Sequence, residues 1–317
     1  MNRKPAELLI DLAAEPIGGR VLAASDELLG PKEGLLRSSG PGWETRRRHA
    51  PGHDWAVVAL GLPGIIRHTV VDTTGFGGRH PTHASVESIH LPTTPDIIEL
   101  VRDPGRWTEV VSRSPLAADR KNTFAVKAKA PMTHVRLVVY PDGGVGELRV
   151  FGDPTPHPGL FDGETEIDLT ALSSGARAID CSDRHFSSPN DMLGEGAGGW
   201  LTHRRRIPGH EWAIIRLAGR AIVNRIEVET TGLAGNAPES IGVAAVDAAG
   251  ASRSALRKGD WRPMLAPTQI EAETIATYTD FETARAVTHL RLDLHPDGGI
   301  TRLRAFGMSE EPWMSLS

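Results

Sequence analysis

The 317-residue chain has a single cysteine, Cys181. A lone cysteine forms no internal disulfide and builds no cysteine-based zinc or iron–sulfur centre, which suits a reducing compartment. Aromatic residues are scarce, at 5%, so the arginine runs lack the interleaved rings of a nucleic-acid surface. Long apolar runs are missing too. The longest, around Trp55–Ile66, is interrupted by Gly61, Pro63 and Gly64 and is too short to span a bilayer. The N-terminal apolar stretch is broken by Glu7, Asp11 and Glu15, so no signal-peptide core survives. Neither charge sign dominates: 35 Lys+Arg stand against 40 Asp+Glu, for a formal net charge of −5. Such a chain exerts no general attraction on nucleic acid or an anionic membrane. These absences together predict a cytoplasmic protein.

Glycine (34) and proline (23) are plentiful, which favours tight turns and short strands over long helices. The length suffices for two domains, each with its own core. The chain also repeats itself. Gly42–Trp55 (GWETRRRHAPGHDW) recurs as Gly199–Trp212 (GWLTHRRRIPGHEW), with nine of fourteen positions identical. Val71–Pro81 matches Val228–Pro238 at the same offset, and Thr133–Gly152 matches Thr288–Gly307 at twelve of twenty positions. Three blocks in the same order mean a duplicated domain, and two copies are too few for a solenoid. The expected domains are 1–155 and 156–317. The seam falls in Gly152–Thr165, where Pro154, Pro156 and Pro158 make a stiff, extended linker.

Within each copy the periodicity is that of strands. Trp55–Gly61 and Trp212–Ala218 are short β-rich runs ending in turn residues, and His68–Thr73 and Asn224–Thr230 alternate as half-buried strands do. His134–Tyr140 and His289–His295 alternate likewise, then break at Pro-Asp-Gly-Gly, which is expected to make a hairpin to Leu148–Phe151 or Leu303–Phe306. The best helical pattern is Lys4–Ala14. The fold class is all-β: two tandem antiparallel sandwiches of the jelly-roll type.

Polar residues shared by the copies in turn-rich segments carry the chemical interest. Arg46, Arg47 and Arg48, with Arg204, Arg205 and Arg206, read either as an anion clamp, since a guanidinium matches a carboxylate, or as an ion-paired edge. His53-Asp54 and His210-Glu211 precede a strand; a histidine beside a carboxylate serves as a general base, a metal ligand or a turn-stabilising group. Asp183 and His185, with Asp191 beyond, are ligand types that suit a divalent metal. Gly194–Gly199 fits GxGxxG, but no strand leads in and no helix follows, so it is no dinucleotide site. Neither HExxH nor GxSxG is present.

The GWETRRR…PGHDW block, the Val71-Asp-Thr loop, the closing DGG…LR.FG, and the stretches leading to Asp26 and to Asp183 resemble the allantoicase family over nearly the whole chain. The resemblance implies two jelly-roll (galactose-binding-like) domains, commonly assembled as homo-oligomers. It also implies a hydrolase that converts allantoate to ureidoglycolate and urea in purine breakdown, so the expected partner is a small allantoate-like molecule. On this reading Glu44, His53 and Asp54 are the catalytic candidates. Arg46, Arg47, Arg48, Arg204, Arg205, His210 and Asn236 are the substrate-binding candidates. Mn²⁺ is a possible cofactor, with Asp183 and His185 as weak candidate ligands. A relative acting on another ureido or amidine substrate, and a non-catalytic ligand-binding sandwich, stay open beside it.

The chain departs from the family pattern at several positions. Where the family carries His-Phe-x-Gly-Asn-x-Pro, the first copy has Gly75-Phe76-Gly77-Gly78-Arg79-His80-Pro81. The second copy has Gly232-Leu233-Ala234-Gly235-Asn236-Ala237-Pro238, keeping the Asn without the His. Glu44 and Arg46 become Leu201 and His203. The two incomplete sets therefore lie in different copies.

Overall fold

The computed structural model describes residues 8–91, 96–102, 104–156, 160–196, 198–281 and 285–312. The chain divides into two compact units, Ile10–Asp153 and Pro154–Ser317, the latter joined by Met1–Leu9.

The first unit is built from β1 (Ile10–Asp11), β2 (Arg20–Ala24), β3 (Trp43–Glu44), β4 (Asp54–Asp72), β5 (His83–Ile89), β6 (Thr108–Pro115), β7 (Lys121–Ala125), β8 (Met132–Tyr140), β9 (Gly144–Val145) and β10 (Glu147–Pro154). The main sheet runs β1-β10-β4-β8-β5-β6, with β2 and β7 also on β4. The two expected strands Trp55–Gly61 and His68–Thr73 prove to be halves of the single 19-residue β4. Its register against β8 shifts between Ala59 and Gly64. The Gly61-Leu62-Pro63-Gly64 stretch thus bends the strand rather than ending it. The half before the bend pairs with β2 and β8, and His68–Asp72 pairs with β7. One strand thereby serves both layers of the sandwich. Side chains from both halves, among them Val57, Val58, Ile66 and Val71, are fully removed from solvent. Each such aliphatic burial contributes about 1.5–3 kcal/mol.

The second unit repeats this with β11 (Ile167–Asp168), β12 (Arg177–Cys181), β13 (Trp200–Leu201), β14 (Glu211–Glu229), β15 (Ser240–Val246), β16 (Arg262–Gln269), β17 (Ile275–Tyr278), β18 (Val287–His295), β19 (Gly299–Ile300) and β20 (Arg302–Pro312). The order β11-β20-β14-β18-β15-β16 is the same. The bend in β14 again shows as a register shift, between Arg216 and Ala221.

Two expectations are corrected. Pro-Asp-Gly-Gly does not make a hairpin between its flanking strands: β8 lies against β4 and β5, and β10 lies on the other flank of β4. The tetrapeptide instead leads into β9, which pairs with β3. The glycine requirement holds, because Gly143 has φ +130° and a Cβ there would sit 2.4 Å from the Arg79 carbonyl oxygen. The helix expected over Lys4–Ala14 is also absent where it can be seen; its residues 4–7 lie outside the described residues. Ile10 and Asp11 form a strand against β10, because the Asp11 carboxylate accepts the backbone N–H groups of Val150 and Ala13. Of the linker Gly152–Thr165, residues 157–159 lie outside the described residues.

The Thr-His pairs at the start of β8 and β18 bury their imidazoles, His134 and His289, each within reach of the preceding threonine hydroxyl. Burial, reinforced by the positive charge of Arg216, pushes His289 down from 6.5 to about 4, and His134 is pushed down by burial and Arg20. On acidification the unfolded chain takes up these protons first. Stability is therefore full above pH 6.5 and falls as pH drops toward 4. For His289 alone the loss at pH 5 is about 2 kcal/mol. Urea unfolding at pH 7 and pH 5 measures it, and His289→Gln is expected to flatten the dependence. An unchanged slope in that variant would remove His289 as its source.

Candidate active site

Four loops of the first unit meet around β3. The Trp43 side chain, fully buried, anchors them: its indole N–H donates to the Asp26 carbonyl at 2.8 Å. Glu44, next in the chain, pairs with Gly144 of β9 and bridges to Gly30. Buried Thr45 accepts the Gly143 N–H at 3.1 Å. The chain after β3 is thereby clamped against both the loop after β2 and the turn after β8.

That clamping decides where the arginines go. Arg46 donates its backbone N–H and Nε to Asp26 Oδ2, at 2.8 and 3.0 Å. Burial pushes the Asp26 carboxyl up, but the Arg46 backbone and side chain with the Leu28 N–H outweigh it and hold the group below the usual range. Arg48 turns inward: its backbone N–H donates to Asp142 at 2.7 Å and its guanidinium to Asp54 Oδ1 at 2.6 Å. The Asp54 carboxylate, 2% exposed, also accepts the Ser25 hydroxyl at 3.1 Å. Arg47 is exposed and has no hydrogen-bond or ion-pair partner among the described residues. His53 is exposed, with its ring tilted 5.5 Å from that of Tyr140. Both Glu44 oxygens accept from Arg79 Nη1, at 2.9 and 2.7 Å.

The second unit keeps the scaffold and changes the chemistry. Buried Trp200 donates to the Asp183 carbonyl at 2.9 Å, and Thr202 accepts the Gly298 N–H at 3.1 Å. Arg205 donates to Asp297 and to Glu211, as Arg48 does to Asp142 and Asp54. Leu201 stands in place of Glu44, however, so no carboxylate occupies that point. Arg204 is exposed without a partner among the described residues. His203 replaces Arg46 and lies 3.1 Å from Asp183 through Nδ1. Asn236, in the Arg79 position, is exposed and hydrogen-bonded through its backbone. His210 is held between Asp293 at 3.0 Å and Arg291 at 3.2 Å.

Asp183 accepts the His185 backbone N–H at 3.0 Å, and the His185 ring lies tilted with its centroid 3.9 Å from that of His203. No three His, Cys, Asp or Glu side chains among the described residues are grouped to hold a metal ion. The structure thus leaves Arg46, Arg47 and His53 exposed on one unit with Glu44 half-buried beside Arg79, and ties Arg48 to the buried Asp54. The sequence reading did not select Asp26 or Arg79 as site residues. Arg79 had a signal, since it lies at one of the departures from the family loop.

A duplicated antiparallel sandwich whose charged loops gather around a buried tryptophan in each copy defines a tandem jelly-roll protein. The allantoicase-repeat family model matches residues 10–155 and 167–310. The chain belongs to the allantoicase family. It is 36% identical over 320 residues to a "Probable allantoicase" of Nocardia farcinica, covering 94% of both chains. It is 35% identical over 338 residues to one of Pseudomonas aeruginosa, covering 98% of this chain and all of that one. The crystal structure of allantoicase from Saccharomyces cerevisiae superposes with a TM-score of 0.79 at 28% identity, covering 95% of this chain and 93% of the other.

Proposed function

We propose that this chain hydrolyses allantoate to ureidoglycolate and urea, with the chemistry carried by the first unit. The observation that supports it is the asymmetry at one scaffold position: Glu44 in the first unit, Leu201 in the second. Allantoate carries one carboxylate and two ureido groups on a single carbon. The free guanidinium of Arg47, with the Nη groups of Arg46 that its Nε bond to Asp26 leaves unused, draws in the negative charge of the substrate. Each Glu44 oxygen accepts one hydrogen bond from Arg79 and keeps further lone-pair capacity. Glu44 therefore accepts a proton from water as the water oxygen bonds to the central carbon. The C–N bond to one ureido group breaks, and the proton passes to the departing nitrogen, completing urea. His53, exposed nearby in sequence, is the second proton carrier; Asp54 and Arg48 support the loop. Arg204, Arg205, His210 and Asn236 are on this reading ligand-binding candidates of the second unit by itself.

No helix among the described residues is long and apolar enough to cross a membrane. The reading extends to a cytoplasmic enzyme, supported by the lone Cys181, whose thiol burial pushes up to about 11. It extends also to a homo-oligomer, on the family resemblance, and to a protein that binds no nucleic acid, on its net charge. The test is urea release from allantoate by purified protein, alone, with Mn²⁺, and after chelation. Release is the expected result. Folded protein that releases none under every condition overturns the reading, and a metal-dependent rate directs mutation to Asp183 and His185.

A further inference from the structure

The loop after β4 presents Arg79 on a fixed base. The Arg79 backbone N–H donates to the Phe76 carbonyl at 2.9 Å, and its carbonyl accepts the Gly144 N–H at 2.8 Å. Phe76 is buried, and the Gly75 N–H is held by Asp119 at 2.9 Å. The side chain is nevertheless 62% exposed. Its guanidinium lies 5.3 Å from the Phe76 ring centroid and uses one nitrogen only: Nη1 bonds both oxygens of Glu44. Nε and Nη2 have no acceptor among the described residues. A guanidinium offers five donors in a rigid plane, so an arginine oriented through one nitrogen keeps an ordered edge for a second anion.

The repeat supplies an internal comparison. At the two corresponding positions the second unit has Leu201 and Asn236, so both members of the pair are replaced and neither replacement is charged. The charged pair is therefore not a requirement of the shared fold, because the second unit builds the same strands and the same loop without it.

The geometry points to Arg79 as a specificity-determining residue. Its Nε–Nη2 edge takes the carboxylate of the substrate while Nη1 stays on Glu44, fixing the substrate relative to the group that accepts the proton. The substrate class is a ureido compound bearing a carboxylate; a diureide without one lacks this contact. The inference rests on the hydrolase reading above and names the chain's own addition to the family site.

The test compares allantoate with methylenediurea, which has two ureido groups and no carboxylate, in the parent protein, Arg79→Gln and Arg79→Lys. Both are followed as substrates, or methylenediurea as a competitive inhibitor. Arg79→Gln is expected to raise KM for allantoate by roughly 10- to 100-fold, as loss of a charge-assisted contact does. Any fall in kcat, from the lost support of Glu44, should be the same for both compounds, while the methylenediurea KM or inhibition constant stays within about threefold. Lysine, a point charge that cannot bond Glu44 and the substrate in one plane, restores only part of the loss. An equal rise in KM or inhibition constant for both compounds shows that Arg79 merely supports Glu44 and overturns the inference, as does an unchanged KM for allantoate. If the parent protein binds allantoate calorimetrically but releases no urea, the hydrolase reading fails; the Arg79 contact is then judged by whether Arg79→Gln abolishes that binding selectively. If the parent protein shows neither binding nor turnover, both fail.

Discussion

Glu44→Gln is expected to lower kcat for urea release by roughly 100- to 10,000-fold, the range lost when a positioned general base is removed. The substitution keeps the shape of the side chain and the backbone pairing of Glu44 with Gly144, so the fold is retained. It removes the group that accepts a proton from water. The partner left behind, Arg79, is mostly exposed, and losing an ion pair there costs little stability. The unfolding midpoint is accordingly expected to stay within about 1 kcal/mol of the parent. Leu201→Gln in the second unit is the matched control and should leave turnover within a few fold. Steady-state kinetics with parallel urea unfolding separates the cases. Turnover above a tenth of the parent in Glu44→Gln would place the chemistry elsewhere.

Asp54→Ala is expected to act on stability instead. Its carboxylate lies at the start of β4, almost wholly buried, and takes both the Arg48 guanidinium and the Ser25 hydroxyl. Removing one partner of a buried ion pair costs about 3–5 kcal/mol. The lower end is expected here because Arg48 keeps some solvent access, with its side chain 34% exposed. Replacing both groups with apolar residues, Arg48→Met with Asp54→Leu, should recover much of the loss, since no uncompensated charge remains. The readout is the free energy of urea unfolding for each variant. If Asp54→Ala is as stable as the parent yet loses turnover a hundredfold, Asp54 is a catalytic group and not a brace.

The duplication, the β class and the turn glycines were legible because each is a local property of the chain. Matching blocks in the same order need no contacts to be seen, and alternation reports which face of a strand is buried. Within that frame the local signal misled in three places. Gly61-Leu62-Pro63-Gly64 reads as a turn, yet both flanking segments find partners in line and the strand continues through it. Pro-Asp-Gly-Gly reads as a hairpin, yet its neighbours are separated by β4. Lys4–Ala14 has helical spacing, yet in its described part Ile10–Asp11 is a strand, where Asp11 takes the Val150 backbone N–H of β10.

The sequence by itself determined two copies of one antiparallel sandwich, their family, and the residue types available at the loops. The roles of those residues were decided by tertiary structure. Arg46, Arg47 and Arg48 are consecutive and chemically alike, but only packing against Asp26, Asp142 and Asp54 makes one half-tethered, one free and one a brace on a buried carboxylate. Arg79 is 35 residues from Glu44, and nothing in their spacing implies contact. A guanidinium's function depends on which of its donors are already used, and that is a property of where the chain folds back, not of the order in which it is written.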